Sequence, residues 1–142
     1  MYHTLLILHM LGLALGVGTG FAQATLGMSA QKMPLEERKA FMMRAMVLGK
    51  NGSVGLLLLI VTGVGMMWMR GVSATMQAGG GAFHVKLTLV VLIIGTFGYL
   101  QMLIRQARRE GGGPALAKLP VAGRVMLLLG IATVASAVLA FH

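Results

Sequence analysis

The chain has 142 residues, of which 57 % are hydrophobic and only 11 % charged, and its mean hydropathy is +0.85. Soluble domains carry about 25 % charged residues, because something must face water; this composition excludes that class and calls for lipid. The net charge of +9 comes from twelve Lys and Arg dispersed among apolar runs, which form no continuous basic face for nucleic acid, and the absence of cysteine excludes disulfides and thiol chemistry.

A membrane-crossing helix needs about 20 mostly apolar residues to span roughly 30 Å of hydrocarbon. Four stretches meet that requirement. The first runs from Thr4 to Ala24. Ala22-Gln23-Ala24 imitates a signal-peptide cleavage site, but Met1 to Thr4 holds no positive charge and the basic cluster follows the span, so it is read as a retained helix. Pro34 then opens an interfacial helix over Leu35–Leu48, with Phe41, Met42 and Met46 toward lipid. The second span covers Val54–Met69, extended back to Gly49. Gly79-Gly80-Gly81 separates it from the third, Ala82–Ile104, and Gly111-Gly112-Gly113-Pro114 separates that from the fourth, Val121–Phe141. Open sheets would leave backbone groups unpaired in lipid. The expected architecture is therefore all-α, a single polytopic domain over 1–142 built as an antiparallel four-transmembrane-helix bundle.

Orientation follows from the cations. Lys32, Arg38, Lys39, Arg44 and Lys50 lie between spans one and two, and Arg105, Arg108, Arg109, Lys118 and Arg124 between spans three and four. Only Arg70 and Lys86 lie toward the other side. The rich side is cytoplasmic by the positive-inside rule. This places the protein in a bacterial inner membrane with both termini outside. The acids Glu36, Glu37 and Glu110 all fall on the cytoplasmic side, so no carboxylate stands within the membrane to relay protons.

Helical spacing sorts each span into faces. On the first, His9, Gly16 and Gly20 share a line, with Gly12 and Gln23 beside it; Gly12-xxx-Gly16-xxx-Gly20 lets a neighbouring helix come close. On the second, Asn51, Gly55, Leu58, Thr62, Gly65 and Met69 form the inner stripe. On the third the inner stripe is His84, Thr88, Val91, Gly95 and Gly98, which leaves Lys86 with Val90, Ile93 and Phe97 toward lipid. The fourth presents Gly123, Met126, Gly130, Thr133 and Ala137. The interior thus holds His9, Met69 and His84 toward the outer side, with His3 and His142 at the outer helix ends. The glycine stripes also fit docking onto a second copy or a larger membrane complex.

Two chemistries suit these residues. Imidazole is a usual axial ligand of haem iron, so His9 and His84 could clamp haem b between spans one and three. Alternatively His9, Met69 and His84 could hold copper, since Met66, Met67, Met69 and Met76 cluster nearby and thioethers select Cu(I). Each residue also has a plain reading. His9 can pack against a carbonyl, the methionines can fill apolar surface, and Lys86 can snorkel to the outer headgroups. No Ser/His/Asp set, carboxylate pair or phosphate loop is present.

The segment Ala82-Phe83-His84-Val85-Lys86-Leu87 resembles the third-helix W-x-H-x-K-L signature of the HemJ protoporphyrinogen oxidases, and Leu6-Ile7-Leu8-His9 is similar to their first-helix K-A-x-H segment. The same four-helix core is shared by CopD-like copper-resistance proteins. The resemblance implies haem ligation by His9, an essential role for Lys86 in oxidation and a cofactor role for His84. It departs from the family in lacking Trp, Arg and His between Gly12 and Met28. A reporter enzyme that works only outside the cytoplasm, fused after His142, is expected to be active; activity from a cytoplasm-only reporter there would reverse the orientation.

Overall fold

The computed structural model describes residues 1–140, with side chains through Leu139, and every element in it is helical. Phe141 and His142 lie outside the described residues. Helix α1 covers Tyr2–Ala30, α2 Leu35–Ala45, α3 Gly49–Arg70, α4 Val72–Arg109 and α5 Gly113–Ala140, and a 3-10 turn over Met46–Leu48 joins α2 to α3. Four helices are long and apolar enough to cross a membrane: α1, α3 with its α2 extension, α4 and α5. The chain is a multi-pass membrane protein with an all-α, four-span bundle.

The helices exceed the apolar windows. Hydropathy marks only what lies in hydrocarbon, whereas helical hydrogen bonding continues until a residue breaks it. Helix α4 starts at Gly71 (φ 81°) and bends at Gly80 (φ 50°, ψ −147°), so Val72–Gly79 forms a separate short arm. A Cβ at Gly79 would collide with the Phe83 side chain, which makes that glycine obligatory for the bend. Gly111, Gly112 and Gly113 take positive φ in the α4–α5 connection, and α5 passes through Pro120 rather than starting after it.

The helices pack as two close pairs, α1 with α3 and α4 with α5, joined by α1 against α5. The α1–α3 pair is built on glycine. A Cβ at Gly55 would lie 2.6 Å from the Gly16 nitrogen and 2.8 Å from the Gly12 carbonyl oxygen, so the two backbones touch there. Leu5 against Gly65 and Thr19 against Gly52 continue the antiparallel register toward the two ends. Gly20 meets Leu127 and Val17 meets Gly130 across the α1–α5 seam. The inward stripes expected on α1, α5 and the middle of α3 are the ones observed.

The largest buried cluster sits at one end of the bundle. There Met46, Leu103, Ile104, Ala107, Ala115, Leu116, Leu119 and Ala122 close together, and Ala107 and Ala115 let α4 approach α5. The same end carries ten of the twelve cations, so it is called the basic end below. Arg38 of α2 ties that end to α1, donating from Nε to the Ala30 carbonyl at 3.2 Å and from a terminal nitrogen to Gln31 at 3.3 Å. These are carbonyls that the end of α1 leaves without helical partners. Contacts between α3 and α4 at this end include Gly49 with Ile104, and Gln101 donating to the Ser53 hydroxyl at 3.3 Å.

Lipid offers no hydrophobic force between helices, so contact distance decides association in the membrane. Gly55→Ala should therefore cost about 2 kcal/mol, in the range of overpacking against unyielding neighbours. Gly18→Ala, where a Cβ meets nothing within 4 Å, should change stability by less than about 0.5 kcal/mol. Thermal unfolding of both variants in one detergent measures the contrast.

Candidate functional site

At the end away from the basic cluster, α1 and α3 bring together a polar pair, His9 and Thr62. His9 projects from α1 onto α3, where its Nδ1 lies 2.8 Å from the Thr62 hydroxyl oxygen. Thr62 is 2 % exposed, and its own hydroxyl donates back to the Leu58 carbonyl one turn earlier. With that single hydrogen committed, the Thr62 oxygen can only accept. His9 is therefore the donor through Nδ1–H, and in the neutral ring its Nε2 keeps a free lone pair. The Leu59 carbonyl also stands beside the ring, another acceptor on the same wall.

Gly63 of α3 also faces the ring: a Cβ there would stand 3.4 Å from His9 Cε1 and 3.9 Å from its Nδ1, at van der Waals contact. Gly55 sets the helices close enough for this, and the expected stripe through Gly55, Leu58, Thr62 and Gly65 supplies the wall. Gly63 lies outside that stripe. Its role is visible only once the height of His9 on α1 is paired with a position on α3.

Helix α4 contributes differently from the expectation. Phe83, Ile93, Ile104 and Ala107 are buried, and Lys86, Val90, Phe97 and Leu100 are half-buried, so the inward face is Phe83-Lys86-Val90-Ile93-Phe97-Leu100-Ile104-Ala107. The face expected inward is the outer one: His84, Thr88, Val91, Gly95 and Gly98 are all exposed. The physical reason is that close packing needs small residues on only one partner. Helix α5 brings Ala115 and Ala122 to the seam, which leaves α4 free to present large side chains.

Lys86 thus stands half-buried on the inward face of α4 and not on the lipid face. Its carboxylate surroundings are empty, because Glu36, Glu37 and Glu110 all lie at the basic end. Met69 is corrected as well: it is 48 % exposed and does not join the interior. His3 is exposed and stacks edge-on with Tyr2 at 6.1 Å, while Arg70 sits 4.5 Å over the Tyr2 ring. Of the expected residues, the structure turns His9 and Lys86 inward. It does not turn His84 or Met69 inward.

Among the described residues no group of three or more His, Cys, Asp or Glu could hold a metal ion. Compared with known proteins, the chain matches no family model, no characterised protein and no solved structure.

The tautomer is directly testable. Nitrogen NMR of histidine-labelled protein should show His9 with its proton on Nδ1, against the usual preference for Nε2. Thr62→Val keeps the shape and removes the acceptor; it should relax that tautomer preference and cost about 1–2 kcal/mol of stability. An unchanged His9 spectrum in Thr62→Val would break the assignment of the bond.

Proposed function

We propose that this membrane protein binds an anionic amphipathic ligand of the tetrapyrrole class at His9 and Lys86, in the manner of the HemJ-like proteins that its first and third spans resemble. The observation that carries the reading is a half-buried lysine without a carboxylate partner on the inward face of α4, in a bundle whose α1 also turns a histidine inward. An uncompensated cation within a span is costly and marks a functional site by default. A ligand carboxylate, such as a porphyrin propionate, supplies the missing charge.

The donor set fits haem in part. His9 would supply one nitrogen to hold the group and Lys86 a partner for a propionate, whereas His84 faces outward. A bound haem would contribute the metal's redox chemistry; the protein's share is to present Nε2, neutralise the carboxylate and exclude water. Oxidation of protoporphyrinogen is the enzymatic extension of this reading and rests on the Ala82–Leu87 resemblance. Copper has less support, because no soft ligand joins His9 and Met69 is exposed. The bacterial inner membrane and external termini remain part of the proposal, on the ten-to-two division of cations.

A second reading has an observation of its own. The exposed His84-Thr88-Gly95-Gly98 face is unusually small and polar for lipid contact, as expected of a subunit docking on another helix.

Hemin titrated into the detergent-purified protein should produce a Soret band that His9→Ala removes or shifts. Lys86→Gln should weaken hemin binding about tenfold, the worth of one charge-assisted contact of about 1.4 kcal/mol. Met69→Ala should leave the band alone. If hemin gives no band and His9→Ala folds normally, the tetrapyrrole reading is wrong and His9 is a packing residue.

A further inference from the structure

The basic end contains a cleft that the site above does not use. It opens where α1, α2, α4 and α5 converge, with Gln23 and Gly27 on one wall, Met46 on another, and Leu119, Gly123 and Arg124 on the third. Its volume is about 60 Å³, room for a few methylene groups and far too little for a tetrapyrrole. The lining is apolar except for Gln23 and Arg124 at the rim.

Two features of this cleft suit a bound molecule. Gly12, Gly20 and Gly55 admit a neighbouring helix, whereas Gly18, Gly95 and Gly98 face open space. Gly27 and Gly123 admit none: a Cβ on either would meet nothing within 4 Å, so their smallness leaves the cleft open. The second feature is charge. The basic end carries ten cations against three carboxylates, and its one ion pair among the described residues is Lys39 with Glu36 at 3.5 Å. Arg124 has no carboxylate partner there.

Depth identifies the occupant. Gln23 lies one residue inside the expected end of span one at Ala24, and Arg124 three residues inside the expected start of span four at Val121. Both therefore stand near the boundary between acyl chains and headgroups. An apolar groove with a cation at that boundary matches a lipid: the chain lies along Leu119 and Met46, and the phosphate reaches the Arg124 guanidinium, a planar donor suited to it. We infer that this cleft binds an anionic phospholipid, with Arg124 and Gln23 holding its phosphate and Gly27 and Gly123 leaving space for its glycerol and upper chain.

Native mass spectrometry of the whole protein in mild detergent, with dioleoyl-phosphatidylglycerol or dioleoyl-phosphatidylcholine added, reads the preference directly. Wild type should retain one phosphatidylglycerol about tenfold more tightly than phosphatidylcholine. Arg124→Gln should bring the two lipids to within about threefold, and Arg124→Lys should restore part of the difference. Gly123→Leu should weaken both lipids by filling the groove. Arg105→Gln, an exposed cation on α4 outside the lining, should leave the preference unchanged. Thermal unfolding checks that each variant is folded. Equal retention of both lipids by wild type overturns the inference, as does an Arg105→Gln effect as large as that of Arg124→Gln. Competition by millimolar inorganic phosphate would also overturn it, since the site would then take a free anion and not a lipid.

Discussion

The contact on which the bundle depends is bare backbone against bare backbone. Where α1 crosses α3, Gly55 sits against Gly12 and Gly16 with no side chain between them. Lipid tails are as apolar as Leu or Val, so burying those residues between helices gains little over leaving them in the bilayer. Many large apolar side chains are accordingly exposed, among them Leu57, Val61, Val91 and Leu128. What remains to hold helices together is close van der Waals contact and a few hydrogen bonds. Gly12 and Gly16, one turn apart on α1, and Gly55 on α3 supply the first, and their position fixes the rest of the α1–α3 register. His9 lies one turn before Gly12 and must therefore fall opposite Thr62 and Gly63.

Helix α1 consequently organises the fold. It packs on α3 through Gly12 and Gly16, meets α5 through Val17 and Gly20, and has its last carbonyls held by Arg38 of α2. Each relation uses a different residue class: glycine for closeness, a small residue against Leu127 for the seam, and a guanidinium for the exposed helix end. Helix α4 is attached to the α1–α3 pair by Gln101 with Ser53 and by Ile104 beside Gly49, both at the basic end. At the other end the Val72–Gly79 arm and the Gly80 bend separate the start of the α4 span from the end of α3.

The parts of this arrangement legible in the sequence are those carried by small residues. The stripes Gly12-Gly16-Gly20 and Gly55-Leu58-Thr62-Gly65 predicted both faces of the α1–α3 interface, because a glycine gives nothing to lipid and its use is contact. The same rule fails on α4. There Gly95 and Gly98 lie outside, and the inward face is a run of large residues and one lysine, Phe83-Lys86-Val90-Ile93-Phe97-Leu100-Ile104-Ala107. That face repeats at alternating steps of three and four, the seven-residue pattern of helices that pack along their length. Reading that period in place of residue size would have turned α4 the right way round. The Thr62 bond to His9 needed the relative height of two helices, which Gly12 against Gly55 determines and composition does not.

The division of labour between the two ends follows from where charge can be afforded. At the basic end the cations stand near headgroups and water, so they need no partner inside the protein, and the apolar cluster of Met46, Leu103, Ile104 and Leu119 closes beneath them. At the other end Lys86 is within a span and has no acid partner among the described residues. Snorkelling would relieve it from the lipid face, but it stands on the inward face of α4. A charge in that position persists only if its stabilisation comes from something the protein holds there. His9, turned inward from α1 and bonded to Thr62, carries no negative charge that could balance a cation. On the proposed reading, a ligand carboxylate would supply that balance at Lys86.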